Sequence, residues 1–276
     1  FMEKYFTKVE KLKKMIASYA ESDIVVAFSG GADSSLILKM TCEAAERTRH
    51  TVYGIFLHTM LHPVGEAESA GKIADEVGAV FKILEIDELK EADIEYNPQD
   101  RCYRCKKYLF QSVLKEAEKL HADIVMEGTN QDDLMVYRPG IRAVKELGII
   151  SPLAAAELTK KEVRRLAAEY GLSVSNKPAS PCLATRFPYG TKLSGDAIRS
   201  VERGEKILKE QGFHNVRLRV HGEIARIEVD SRDLKILVEH RKEIISGLKK
   251  LGYIYVTLDL EGFRSGSMDV NRKESV

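Results

Sequence analysis

Ser29-Gly30-Gly31-Ala32-Asp33-Ser34 lies between a short apolar run, Ile24 to Phe28, and a helical pattern from Leu36 to Arg47. The run is rich in β-branched Val and Ile and reads as a buried strand. The loop after it consists of residues that turn tightly and leave backbone N–H groups exposed. Strand, glycine-rich loop and helix N-terminus together form an anion site, in which converging amides meet the positive end of the helix dipole. No Gly-Lys-Ser/Thr follows at Walker A spacing, so this is a different phosphate loop.

The six residues resemble the Ser-Gly-Gly-x-Asp-Ser pyrophosphate loop of ATP pyrophosphatases, which cleave ATP between its α and β phosphates. The resemblance implies ATP contacts from Ser29, Gly30, Gly31, Asp33 and Ser34, with Asp33 beside Mg²⁺ and pyrophosphate. It gives Asp33 and Ser34 catalytic roles. The competing reading is an ordinary tight strand-to-helix turn.

Outward from this loop the chain alternates strand and helix patterns. An amphipathic helix over 2–20 carries Val9, Leu12, Met15 and Ile16 at helical spacing. After the first βα unit come strands at His50–Leu57, Val80–Ile86 and Asp123–Met126, with helices at Glu66–Val77 and Tyr103–Leu120. This rhythm predicts a doubly wound, mostly parallel α/β sheet of Rossmann-like type. Thr159-Lys-Lys-Glu162 is a capping box for a helix Val163–Tyr170, which Gly171 ends. Asn176–Gly190 holds three prolines without periodicity and reads as a hinge. Beyond it a helix (Asp196–Gln211), strands Val216–Val220 and Ile224–Val229, a helix (Asp233–Leu251) and a strand (Tyr253–Leu260) predict a smaller α+β domain. The expected domains are 1–184 and 191–276.

With 43 basic and 42 acidic residues, the net charge of +1 provides no global field toward nucleic acid or membrane. No apolar run approaches bilayer length, and no signal-peptide segment opens the sequence. The expectation is a soluble, cytoplasmic protein with neither nucleic-acid nor membrane partner. Four cysteines in such a chain argue for metal or catalytic use over disulfides.

Three further groups carry chemistry. Gly128-Thr129-Asn130-Gln131-Asp132-Asp133 follows a strand and should face the crevice of the first loop. Asp132 and Asp133 offer hard oxygen ligands for Mg²⁺, or Asn130 and Asp132 cap a helix. Cys102-Tyr-Arg-Cys105 puts two thiols on one helical face, where the dipole and neighbouring Arg101, Arg104, Lys106 and Lys107 favour thiolates. With Cys182, three thiolates suit a [4Fe–4S] cluster with one iron open, because a structural zinc site wants four ligands. A dithiol redox pair is the alternative. Cys42, mid-helix among apolar residues, reads as core. Arg217-Leu-Arg219-Val-His221 places three basic side chains on one strand face, with Arg226 on the next strand, and Arg186 and Arg264 are further candidates for an anionic ligand. The other reading is a solvated basic face.

Taken in order, Ser29–Ser34, Gly128-Thr129-Asn130-x-Asp132-Asp133, Tyr137-Arg138-Pro139-Gly140, Asn176-Lys177-x-Ala179-Ser180, Arg186-Phe-Pro-Tyr-Gly190, Arg217-x-Arg219-x-His221 and Tyr253 to Gly266 resemble the LarE family. These are ATP-dependent sulfur transferases in assembly of the nickel-pincer nucleotide cofactor. The resemblance implies adenylation of carboxylates on pyridinium-3,5-biscarboxylic acid mononucleotide and their conversion to thiocarboxylates. It implies ATP contacts at Gly128, Thr129 and Asn130, and substrate-phosphate contacts at Arg186, Arg217 and Arg219. One branch sacrifices the sulfur of a single cysteine placed where Cys182 lies. Cys102 and Cys105 make this chain resemble the three-cysteine branch, in which a [4Fe–4S] cluster on Cys102, Cys105 and Cys182 carries the sulfide from a sulfur donor. Glu205 matches an acidic position linked to metal or subunit contacts, and a homo-oligomer, a hexamer, is implied. Two other functions remain: iron–sulfur-dependent tRNA 2-thiolation, and a non-catalytic ATP-binding regulatory module.

Overall fold

The computed structural model describes residues 2–136, 138–177, 181–264 and 266–268. Tyr137, Ala179, Ser180 and Ser265, which belong to the quoted motifs, lie outside the described residues.

The first unit comprises 1–59, 64–94 and 100–180. Helix α1 (Met2–Tyr19) leads to strand β1 (Ile24–Ala27), α2 (Ala32–Thr48) and β2 (Val52–His58). Then follow α3 (Glu66–Val77), β3 (Val80–Glu85), a single turn α4 (Glu88–Glu91), α5 (Arg101–Lys119) and β4 (Ile124–Met126). Short helices α6 (Gln131–Leu134), α7 (Gly140–Glu146) and α8 (Pro152–Ala155) precede α9 (Lys160–Glu169). The strands form one parallel sheet in the order β3-β2-β1-β4, with Ile24 level with Val52 on one side and Ile124 on the other. Side chains alternate across it. Ile24 and Val26 enter a core with α1, α2, α3 and α9, whereas Val25 and Ile55 face Phe110 and Val113 of α5 and Val144 of α7. Helices therefore cover both faces, as the doubly wound expectation requires. Cys42 is buried in the first of these cores, where loss of hydration pushes its thiol up to about 12.

The second unit comprises 181–276 together with 60–63 and 95–99. It holds α10 (Gly195–Glu210), β5 (Val216–His221), β6 (Ile224–Val229), α11 (Leu234–Glu239), α12 (Arg241–Lys249) and β7 (Tyr255–Leu258). Its sheet is mixed: β5 and β6 are antiparallel, and β7 runs parallel to β6. Gly204 lets α10 approach β5 closely, because a Cβ there would meet a Leu218 methyl at 2.3 Å. One expectation fails locally: the single helix over Asp233–Leu251 is broken at His240. Leu237 is buried on α11, and Ile244 and Leu248 on α12, but the intervening Glu239-His-Arg-Lys-Glu243 run has no core anchor to hold one straight axis. The stretch read as a hinge carries a 3₁₀ turn at Leu183–Arg186, and another, Ser173–Asn176, ends where that stretch begins. Among the described residues, no helix is long and apolar enough to cross a membrane.

Candidate functional site

Strand order reverses between β1 and β4, because β2 and β3 continue on one side of β1 and β4 lies on the other. Such a switch point opens a crevice at the carboxyl ends of the strands, and the Ser29–Ser34 and Gly128–Asp133 loops both follow strands that end there. Gly30 takes a left-handed conformation (φ 66°), which turns the chain from β1 into α2. Gly31 is the N-cap of α2 and offers no side chain to the first-turn N–H groups. Those amides remain available to an anion. Ser34 Oγ donates to the Gly31 carbonyl and accepts from Ser29 N–H at 3.2 Å, which fixes the loop.

The second loop rests directly on the first. A Cβ on Gly128 would stand 2.9 Å from the Ser34 amide nitrogen and 3.1 Å from Asp33 Cβ. Only glycine allows this approach without a shift. Asn130 caps α6 by accepting from the Asp132 and Asp133 amides, and its side-chain nitrogen donates to Asp33 at 3.2 Å. Asp133 completes the capping box and pairs with Arg138, while Asp132 accepts from the Lys160 N–H. Of the three aspartates, Asp33 alone is held mainly by side chains, Asn130 and the Lys160 ammonium.

Sequence reading missed Glu127 and Lys160. Glu127, 4% exposed, accepts from Thr129 N–H at 2.9 Å and from the Ser151 hydroxyl, and its other oxygen lies 3.5 Å from Lys106 Nζ. Lys106 follows Cys105 on the first turns of α5, so one buried carboxylate ties the cysteine-bearing helix to the Gly128–Asn130 loop. Lys160 had a readable signal. It is the first residue of a helix whose positive dipole end disfavours a cation. Lys177 lay inside a quoted motif without a role; its ammonium is 3.3 Å from the Gly30 carbonyl.

Cys102 is exposed and Cys105 half-buried at the start of α5, whose N-terminus lies at the carboxyl end of the parallel sheet. Cys182 is half-buried in the second unit, ahead of the Leu183–Arg186 turn. Among the described residues, no group of three or more His, Cys, Asp or Glu side chains is placed to hold a metal ion.

In the second unit the arginines divide by partner. Arg186, 2% exposed, makes a two-pronged pair with buried Glu205 at 2.8 and 3.0 Å, and Glu205 also accepts from Leu218 N–H. Arg219 pairs with fully buried Glu228 at 2.9 Å and donates to the Thr185 carbonyl. Arg226 bridges Glu228 and Asp259, and Arg264 reaches Asp259 and Glu261. Arg217 differs. It has no carboxylate partner among the described residues, donates to the Val216 carbonyl and lies 5.0 Å from the Phe263 ring. Burial, then the charges of Arg186 and Arg219, pulls its guanidinium below the usual range. Burial and Arg226 likewise lower His221.

Known proteins resemble this chain in sequence. A family model described as NAD synthase matches residues 5–119. An uncharacterized protein of Synechocystis sp. is 35% identical over 262 residues, covering 94% of this chain and 97% of its own. The pyridinium-3,5-bisthiocarboxylic acid mononucleotide synthase of Lactiplantibacillus plantarum is 38% identical over 246 residues, 89% of this chain and 88% of that one. This chain belongs to the LarE family. A tRNA-specific 2-thiouridylase of Rickettsia peacockii is 28% identical over 232 residues, 70% of this chain and 62% of the relative. The LarE likeness thus runs through both units, whereas the NAD synthase match stops at the end of α5.

Proposed function

We propose that this LarE-family chain is an ATP-dependent sulfur transferase acting on the carboxylates of pyridinium-3,5-biscarboxylic acid mononucleotide. The observation that carries the reading is the seating of Gly128 against the Ser34 amide, which makes two loops one phosphate cradle at the sheet's switch point. A free carboxylate is a poor electrophile, and its resonance must be broken before sulfur can replace oxygen. Its oxygen attacks the α-phosphorus of ATP, the bond to the α–β bridging oxygen breaks, and pyrophosphate leaves with the electron pair. The acyl adenylate then accepts a sulfur nucleophile at its carbonyl carbon and expels AMP, leaving a thiocarboxylate. The chain's part is to position the reactants and neutralise charge.

Ser29, Gly30, Gly31, Ser34, Gly128, Thr129 and Asn130 hold ATP in this reading. Asp33 is the carboxylate for Mg²⁺, since Asp132 and Asp133 already serve Lys160 and Arg138. Mg²⁺ would neutralise phosphate charge there. Arg217 is the guanidinium available to the substrate phosphate, while Arg186 and Arg219 contribute positive field from their ion-paired positions. Cys102, Cys105 and Cys182 would hold a [4Fe–4S] cluster. Three thiols are the donor set that leaves one cubane iron without a protein ligand, and the bound cluster supplies sulfide for transfer. A separate sulfur donor, a homo-oligomeric state and a cytoplasmic location complete the reading.

The test uses anaerobically reconstituted full-length chain, ATP and the pyridinium biscarboxylate mononucleotide. We expect about four irons per chain, AMP and pyrophosphate release, and oxygen-for-sulfur exchange seen by mass spectrometry. No AMP with this substrate sinks the reading, and repeated turnover by Cys102→Ala sinks the three-thiol cluster. The 28% likeness to a tRNA 2-thiouridylase favours one other acceptor, tRNA. Thiolation of tRNA in the same assay, with the pyridinium compound inert, would select it.

A further inference from the structure

Between the two cysteines of Cys102-Tyr-Arg-Cys105 stands a tyrosine that the sulfur chemistry leaves unused. Tyr103 is half-buried and joins α5 to α7. Its hydroxyl donates to Glu146 at 2.6 Å and accepts from the Lys107 ammonium at 2.9 Å. The Arg142 guanidinium stacks on its ring, 3.7 Å from the centroid, and reaches Glu146 at 3.4 Å. Lys107 closes the group on Glu146 at 3.2 Å. Exposed ion pairs of this kind contribute little by themselves. A cation stacked on a ring and a hydroxyl bonded to a carboxylate contribute more, and both pass through Tyr103.

The start of α7 makes a second, independent contact with the same turn. Gly140 ends the quoted Arg138-Pro139-Gly140 run, and its backbone is not left-handed. Close approach is its use: a Cβ there would stand 3.3 Å from Lys106 Cβ and 3.5 Å from the Cys102 carbonyl oxygen. A helix turns about 100° per residue, so Cys102 and Cys105 are about 60° apart, and Tyr103 points about 100° and 160° away from them. The grip of α7 on Tyr103 is therefore on a different side of α5 from the thiols.

We propose that Tyr103 is a positioning residue for the cysteine pair, held by Arg142 and Glu146 of α7. This rests on the reading of Cys102 and Cys105 as a sulfur-site pair. The clasp fixes the rotation of the first turns of α5 and, with it, the spacing of the two sulfurs. A pair held ready loses less freedom when one atom bridges both thiols, so bridging is tighter.

Phenylarsine oxide measures that spacing without iron. Its arsenic–oxygen bond gives way to two arsenic–sulfur bonds, and the oxygen leaves as water with the two thiol protons. The titration uses reduced, iron-free full-length chain in a Cys182→Ser background, which removes the third thiol of the proposed cluster. Tyr103→Leu should weaken arsenical binding about 10-fold, and Tyr103→Phe, which keeps the ring stack, about fivefold. Glu146→Ala lies off the cysteine helix and keeps the test decisive if Tyr103→Leu fails to fold. It should match Tyr103→Phe, and the two combined should lose little more, because they break one shared bond. Tyr108→Phe gives up a 3.3 Å bond from α5 to Glu91 and should leave the affinity unchanged. Affinities within about twofold of the parent in both Tyr103→Phe and Glu146→Ala overturn the assignment. An equal loss in Tyr108→Phe also overturns it, because that marks general loosening of α5. Anaerobic iron uptake is read separately: a chain that binds the arsenical but no iron sinks the cluster of the proposed function, while the arsenical series still decides the role of Tyr103.

Discussion

Arg186 and Arg217 show how one residue type serves two ends within the second unit. Arg186 is sealed against Glu205, with side-chain exposures of 3% and 6%. Removing one member of such a pair strands a buried charge and costs about 3–5 kcal/mol. Arg217 has no such partner, and burial beside two like charges already disfavours its cation. We therefore expect Arg186→Met to lower stability by about 3–5 kcal/mol in urea unfolding. Arg217→Met should cost under about 1 kcal/mol, or stabilise, yet raise KM for the phosphate-bearing substrate. Equal stability losses would contradict this division. Period-two alternation placed Arg217, Arg219 and His221 on one face from sequence alone. It could not show that Glu205 and Glu228 claim Arg186 and Arg219, because those pairings span 19 and 9 residues and depend on packing.

At the scale of elements, the loop-and-helix unit Ser29–Thr48 was legible because strand, glycines and helix pattern are adjacent in sequence. The helix Glu66–Val77 and the strand Ile224–Val229 were equally local readings, and the bounds of α3 and β6 match them. What lay hidden was coupling between elements distant in sequence. Glu127 follows β4, yet it holds the Thr129 amide, the Ser151 hydroxyl and the Lys106 ammonium. Its charge organises the nucleotide loop and the first turns of α5 together. Glu127→Gln keeps the shape but gives up the charge and turns one acceptor oxygen into a donor facing other donors. We expect a stability loss of about 1–3 kcal/mol and a weaker ATP KM. Faster alkylation of Cys102 and Cys105, from a loosened α5 start, is the readout that separates coupling from a loss confined to the loop. Unaltered alkylation rates with an altered KM would limit Glu127 to the loop.

At the scale of the molecule, the second unit takes two short segments, 60–63 and 95–99, from between elements of the first. The proline-rich stretch 176–190 predicts a boundary between 184 and 191, but although Pro63 and Asn97-Pro98 read as turns, no local signal shows that either segment packs with residues beyond 180. Their contribution is specific. Leu183 N–H donates to the Leu61 carbonyl at 2.9 Å, and Leu193 N–H to that of Glu95 at 2.7 Å. Asn97, fully buried, donates through its side chain to the carbonyls of Phe187 and Pro188 and accepts from Gly190 N–H on its own carbonyl. A fragment of 181–276 would retain its sheet and α10 but leave these groups without partners, each buried one costing about 1–3 kcal/mol. Against a net stability of about 5–15 kcal/mol for a domain, that is enough to unfold the 181–193 stretch and with it the Cys182 position. We expect the isolated fragment to show broad, poorly dispersed amide signals for 181–193 in NMR spectra. Intact chains should show them dispersed. A fragment whose 181–193 amides are dispersed and protected as in the full chain would mean that the two inserted segments are ornaments on a unit able to fold without them.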